Sequence, residues 1–317
     1  MHNNYYSIRI INGKITIDPQ FAILTRPNAN QTGLIISLSE GEKLQDPLVI
    51  HHWQDAENLT VNLRHKIIAA AHSQATIVEI FAGADNVNYW VNPITEIDIA
   101  TNATLSHIKI QSDGKSAQHH SQLLVQQQEF SEFASHYLTL GSAVTHSDIQ
   151  IFLQEDRGRC LLNGIYLPRD QQQIAFKTII NHLAPNCAST QDYKGVLQDR
   201  SRGSFDGKIV VAIDAQHTSA AQQNKNLLLS PRAEIITKPQ LEIYANDVIC
   251  THGATVGQLD DEVLFYMSSR GINFLDAQKH LILAFINDNL KLINKTEIHT
   301  QMLQLIEQQL RPITWNQ

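Results

Sequence analysis

The sequence is poor in cysteine, in charge and in long apolar runs, and each shortage removes a class of function. Only three cysteines occur in 317 residues, Cys160, Cys187 and Cys250, and no CxxC pair is among them. A self-contained cysteine-rich zinc or cluster site is therefore excluded. An odd count of thiols points to a reducing cytoplasm. The longest apolar runs, such as residues 67–71, are far too short to cross a bilayer. The opening MHNNYYSIRI has no basic region followed by an apolar run and a cleavage site, so no secretory signal is expected. Charged residues make up 17% of the chain, the formal net charge is -7, and no run of Lys or Arg stands out. That argues against a nucleic-acid partner. No GxSxG elbow, GxxxxGK[ST] loop or HExxH pair is present, so no enzyme activity is expected.

What is present is a long β-like region. The hydrophobic fraction is 43%, enough for a sizeable buried core. Short apolar or alternating runs rich in Ile, Val and Thr recur at residues 48–50, 75–80, 96–100, 105–110, 149–153, 209–213 and 233–237. Polar turn-forming clusters separate them, at 83–86, 112–114 and 156–158. The residues 170–182 alternate strictly and read as a strand; 123–137 are ambiguous. A sandwich, a barrel or a parallel β-helix could use this pattern. The β-helix is favoured because tight two-residue turn signals are few: Asn12-Gly13, Asn163-Gly164 and Asp206-Gly207. Polar residues inside apolar runs also suit ladders between stacked rungs.

The pattern changes after Gly257. Asp260 is a good N-cap, with Asp261 and Glu262 in the first turn and Arg270-Gly271 as a stop. A second helix is expected over about 275–287, with Leu281, Ile282 and Phe285 on one face. A third starts behind Thr296, carries Ile298, Met302, Leu305, Ile306 and Leu310, and ends at Arg311-Pro312. Residues 1–257 thus read as an all-β core and 258–317 as a small α-helical subdomain. The helices are expected to cap the open end of the β-helix, where strand edges would otherwise be bare.

Few residues carry chemistry by pattern. His51-His52 and His119-His120 are adjacent pairs, and neighbours on a strand face opposite ways, so neither pair holds one metal. Cys250 and His252 lie two apart and share a face if a strand runs through them. A thiolate and an imidazole together suit iron or zinc, but two ligands do not complete a site. A buried Cys beside a partly exposed His is the plainer reading of such spacing.

A long ordered stretch changes that weighting. It contains QQNKNLLLS at 222–230 and PRAEIITKPQLEI at 231–243. Asp247-Val248, Cys250, His252-Gly253-Ala254-Thr255-Val256-Gly257 and Leu259-Asp260 follow. Phe265-Tyr266, Ser269-Arg270-Gly271 and a helix over 277–285 complete it. This stretch resembles the SufB/SufD family of iron–sulfur cluster assembly, most nearly its SufD members. The resemblance implies a right-handed parallel β-helix followed by a helical domain. It implies a scaffold that works with a SufB-like subunit and a SufC-like ABC ATPase, without a tightly bound cofactor of its own. A transient cluster, or iron, would be shared with SufB at the interface. His252 and Cys250 match the family's interface positions. Leu264, Phe265, Tyr266 and Arg270 either pack the first helix or dock the ATPase, and Arg270 could simply cap it. A homodimer is possible in the absence of SufB. Family members usually carry an N-terminal helical domain, whereas β-like sequence begins here near Ile8. The rival readings are a β-helix polysaccharide lyase or hydrolase, and a self-associating structural protein. The first would need clustered carboxylates or a calcium site, and no such repeat is seen.

Overall fold

The computed structural model describes residues 6–17, 25–27, 32–293 and 295–310. The first strands are β1 (Tyr6–Ile11), β2 (Lys14–Ile17), β3 (Thr25–Pro27), β4 (Leu34–Leu38), β5 (Leu48–Gln54) and β6 (Leu59–Ala69). Then come β7 (Gln74–Gly83), β8 (Tyr89–Ile99), β9 (Thr104–Ser112), β10 (Gln118–Gln127), β11 (Glu132–Thr139), β12 (Val144–Leu153) and β13 (Arg159–Tyr166). The last are β14 (Gln173–His182), β15 (Ala188–Leu197), β16 (Arg202–Val211), β17 (Ser219–Leu228), β18 (Glu234–Ile243) and β19 (Ile249–Gly257). Three helices follow: α1 (Asp261–Ser269), α2 (Phe274–Lys291) and α3 (Thr296–Gln309).

From β4 onward the chain alternates between two sheets. Odd-numbered strands from β5 to β19 stack in the first, with β1 and β2 at its far end; even-numbered strands stack in the second, with β3 at its far end. Each strand pairs in parallel with the strand two places later, as β15 does with β17 and β17 with β19. This is a parallel β-helix with two strands per turn. Alternation explains the pleat: in β8, Tyr89, Val91, Ile97 and Ile99 point inward and are buried. The ambiguous 123–137 segment divides between β10 and β11, and 170–182 contains β14.

Asn12-Gly13 makes a tight turn, with φ of 50° and 79°, between the antiparallel β1 and β2. The other two Gly signals sit inside strands, for a packing reason. A Cβ on Gly164 would stand 2.2 Å from the Tyr193 ring, and one on Gly207 would stand 1.9 Å from Gln222 Nε2. Each glycine clears space for a large side chain from the other strand.

Asp260 caps α1 by accepting from the N–H groups of Glu262 and Val263 at 2.9 and 3.3 Å. Asn273 caps α2 in the same way, accepting from Asp276 N–H at 2.9 Å, which starts that helix at Phe274. The Arg311-Pro312 stop expected for α3 lies outside the described residues. No described helix is long and apolar enough to cross a membrane.

The helices do not cap the end of the β-helix, as expected from the sequence; they lie along the outer face of the first sheet. Val78, Ile108, Leu138, Ile165 and Val196 point outward there and form a second apolar cluster with Ile282, Ile286, Leu290, Met302 and Ile306. That outward stripe runs along many rungs and must be covered, which decides where α2 and α3 go. Polar contacts then fix them: Asn289 Nδ2 donates to Asp192 O at 2.8 Å and Gln309 Nε2 to Leu140 O at 2.8 Å.

Candidate functional site

The uncovered end of the β-helix is the feature that stands out. Strands β18 and β19 are last in their sheets, so among the described residues each has one free edge. Large apolar side chains are bare along it: Ile249 is 74% exposed, Ile236 62% and Val256 49%. A free strand edge flanked by exposed apolar residues is a template for pairing with another chain.

Cys250 and His252 lie on that edge strand. They stand beside Ala220 and Gln222 of β17 in register, and both of those residues face the interior and are buried. Cys250 and His252 therefore continue an inward-facing line past the last covered rung, as period two implies. Cys250 is half-buried and packs against the core. Burial pushes its thiol pKa up, partly offset by the main chain at Ala220. Alone it is a neutral thiol; a metal or a cation must come to it before it acts as a thiolate. His252 is exposed. Together they place a thiol and an imidazole two residues apart on the edge strand, donor types that suit a soft or borderline metal, and two such donors do not complete a site.

The rungs below are wired by side-chain amides. Gln222 Nε2 donates to Gln191 Oε1 at 3.0 Å, and Gln191 Nε2 donates to Thr178 Oγ1 at 2.6 Å. Asn226 Nδ2 donates to Asn224 Oδ1 at 2.7 Å, and Asn224 Nδ2 to Tyr166 Oη at 3.0 Å. These buried bonds make β17 a stiff base for β19.

Of the four positions singled out in the first helix, Leu264 is only 3% exposed. It packs α1 onto the body and is not available to a partner. Phe265 and Tyr266 are 77% and 58% exposed. The Arg270 guanidinium lies 5.3 Å from the Tyr266 ring centre, while the Arg270 main-chain N–H bonds to Met267 O. Two aromatics and a cation thus form an open patch on α1.

Sequence reasoning missed a second cluster, in the core near the other end. His52 and His119 point inward while His51 and His120 point out, so each pair is split between faces. Inside, Glu79 is 2% exposed and accepts from His107 Nε2 at 2.8 Å and Thr95 Oγ1 at 3.3 Å. His52 Nε2 and His65 Nε2 approach its other oxygen to 3.8 and 3.9 Å. Burial raises the Glu79 pKa, but the bond from His107 and the surrounding imidazoles outweigh it and hold the carboxyl well below its usual range. His65 and His119 are pushed down to about 4, mainly by burial. Lys109 falls to about 8 through burial, opposed by Glu79 and Asp113.

Glu79, His52 and His65 have the composition of a divalent-metal site. The hydrogen bonds argue otherwise. Leu34 N–H donates to His65 Nδ1 at 3.2 Å, so the neutral ring carries its proton on Nε2, the atom that faces Glu79. A ligating His has the opposite arrangement, with its second nitrogen donating. His52 and Glu79 alone do not make a site, and we read the cluster as an internally balanced charge network. Cys160 and Cys187 are likewise structural: both are buried, and Cys187 Sγ donates to Glu155 O at 3.3 Å.

Comparison with known proteins fits the fold. The SUF system FeS cluster assembly SufBD core domain matches residues 52–285. The chain is 34% identical over 281 residues to the iron–sulfur cluster assembly protein SufD of Escherichia coli K12, covering 87% of this chain and 66% of that protein. It is 31% identical to a SufBD-family iron–sulfur cluster assembly protein of Synechocystis, covering 88% of this chain and 65% of that one. It is 29% identical to the chloroplastic protein ABCI7 of Arabidopsis thaliana, covering 84% and 58%. The chain thus spans less than two thirds of the length of these relatives. The extent of the family match, over a β-helix that carries Cys250 and His252 on its open edge, settles the kinship: this chain belongs to the SufB/SufD family and is most like SufD.

Proposed function

We propose that this chain is a scaffold subunit for iron–sulfur cluster assembly, pairing through its open β19 edge with a SufB-like chain. The cluster is cargo, held in transit by His252 and Cys250 together with ligands from the partner. The observation that carries this reading is the inward line of Cys250 and His252 running out onto an unpaired edge. A thiol on that line, protonated alone, becomes a ligand when iron arrives and displaces its proton.

Phe265 and Tyr266 on α1 supply the docking patch for a SufC-like ABC ATPase. Only residues 258–260 separate β19 from α1. Movement of α1 by the ATPase is therefore passed almost directly to the strand that bears His252. The work of the chain is presentation and release, with the chemistry of iron and sulfide left to the assembled complex. In the absence of a SufB-like partner, the same edge pairs with a second copy. The reading places the chain in the cytoplasm, where free thiols persist.

The test is His252→Ala in the complex with a SufB-like chain and a SufC-like ATPase, loaded with iron and sulfide without oxygen. Cluster yield, read by absorbance and bound iron, is expected to fall at least tenfold while the complex stays intact. Undiminished yield on an intact complex would overturn the ligand role.

A further inference from the structure

Gln222 is fully buried, and its amide is held on one side only. Nε2 donates to Gln191 Oε1 at 3.0 Å, and Gln191 passes the ladder on to Thr178. Gly207 lies beneath: a Cβ there would meet Gln222 Nε2 at 1.9 Å, so the absence of a side chain makes the amide's seat. The other end of the amide, Oε1, is buried and has no hydrogen-bond partner. A buried amide oxygen left unpaired costs about 1–3 kcal/mol. The next rung in the direction away from Gln191 is β19, and the residue in register there is His252.

We propose that Gln222 is the positioning residue of His252, its Oε1 accepting a hydrogen bond from the ring Nδ1–H. This rests on the reading of His252 as a ligand, and deepens it. A ladder of side-chain amides ends with an open acceptor, because each amide spends its N–H on the rung below. An imidazole on the following rung can supply the missing donor. Nδ1 is the ring nitrogen nearest the main chain; with the ring turned so that Nδ1 meets Gln222 of β17, Nε2 at the tip is left on the side of the open edge. The bond fixes the proton on Nδ1 and leaves the Nε2 lone pair facing outward. A ligating histidine needs that state, and outer partners of this kind set both ring orientation and basicity. Thr178, Gln191 and Gln222 thus form a chain of fixed polarity that runs across two adjacent rungs of the core and ends at the presented imidazole.

The polarity of the ladder is what the experiment reads. Long-range proton–nitrogen NMR on the isolated full chain, labelled at histidine, reports which ring nitrogen of His252 carries the proton. Free imidazole side chains favour the proton on Nε2. Wild-type His252 is expected to hold it on Nδ1. In Gln222→Leu, which keeps the apolar volume and removes the acceptor, the ring should revert to the Nε2–H form. In Gln222→Glu, which keeps an acceptor oxygen, the Nδ1–H form should persist. A wild-type ring with its proton on Nε2, or a proton on Nδ1 that survives Gln222→Leu in a chain with unchanged melting, would overturn the proposal. If Gln222→Leu fails to fold, the wild-type and Gln222→Glu spectra still decide it. A second readout is iron affinity in the assembled complex, expected to fall 10–100-fold in Gln222→Leu. Undiminished cluster assembly in His252→Ala would remove the ligand role but leave the tautomer result standing, so the two failures are distinguishable.

Discussion

Lys194, 4% exposed in the first sheet, donates through Nζ to the main-chain carbonyl of Phe285 at 2.6 Å, joining β15 to the middle of α2 across 91 residues. Its ammonium also lies 5.4 Å from the Phe285 ring centre. Asp288 approaches Nζ to only 3.9 Å and is itself exposed, so it adds little. A charge-assisted bond to a helix carbonyl ties the helical subdomain to the sheet more firmly than the apolar stripe alone. The subdomain therefore moves with the β-helix unless this bond is broken.

Lys194→Met should loosen that attachment. The substitution keeps the apolar stem and removes the donor, and Phe285 O retains its place within the helix, so no buried acceptor is stranded. The expected loss is about 1.5–3 kcal/mol of stability. Hydrogen exchange should localise it: amides of α2 and α3 exchange faster, while those of β9 to β17 keep their protection. Equal protection of α2 in both proteins would show that the apolar contact carries the attachment by itself.

Acid should destabilise the fold before any carboxylate of ordinary pKa is protonated. His65, His119, His136 and His182 are held near 4 by burial, against a usual value of 6.5. In the unfolded chain these rings take up protons below 6.5, while in the fold they stay neutral until about 4. The unfolded state thus binds more protons between those limits, and stability falls as pH falls through that window. Each histidine contributes a slope of at most about 1.4 kcal/mol per pH unit. Denaturant midpoints measured from pH 7.5 to 4 should be flat above 7 and drop steadily below 6.5. A flat profile down to pH 5 would mean these rings are solvated.

The Glu79 network should behave as a charge cluster and not as a metal site. Glu79→Ala removes the carboxylate that accepts from His107 and Thr95 and faces His52 and His65. A loss of about 3–5 kcal/mol is expected, the usual result of leaving buried partners uncompensated. A chelator should leave the melting temperature of the wild-type chain unchanged, and added cobalt should bring no visible absorption band. A band that disappears in Glu79→Ala would reverse the reading of His65 and restore the metal.

The Cys250–His252 strand and the helices were legible in the sequence, whereas the bare end and the buried networks were not. Asp260, Arg270 and Gly271 announce α1 locally, and the Cys250–His252 spacing needs only the period of one strand. The rung repeat is hidden because the corners ask for a backbone state and not for a residue type. Left-handed φ values recur at His72, Asn102, Phe130, Arg157, Asn186 and His217, six positions with four different side chains. Their N–H groups bond to the next corner in turn, as His72 does to Thr101 O and Asn102 to Glu129 O. Without that repeat, nothing says that Gln191, Gln222 and His252 stack, or that Glu79 meets His52, His65 and His107. The mistaken end-cap has the same origin. Seeing that Val78, Ile108 and Val196 share an outer stripe requires knowing which rungs adjoin, and only the stripe shows where the helices must lie.

Charges placed on the bare edge should separate association from folding. Ile236 on β18 and Ile249 on β19 are largely exposed, so lysine at either site removes little buried area within the chain. Ile236→Lys and Ile249→Lys should therefore change stability by about 0.5 kcal/mol or less. On pairing, the same ammonium groups would have to leave water against an apolar edge, which is how natural edges are kept apart. Affinity for a SufB-like chain, or for a second copy when no such chain is present, should fall at least tenfold by sedimentation. A single substitution on α1, Phe265→Ala, supplies the contrast. It lies on a different face and should weaken binding of the ATPase while leaving edge pairing intact. If the lysine variants unfold the chain, Ile236 and Ile249 hold the last rungs together and the end is not free. If they leave pairing untouched, the contact lies elsewhere, and the presentation of His252 on β19 would have to work without strand extension.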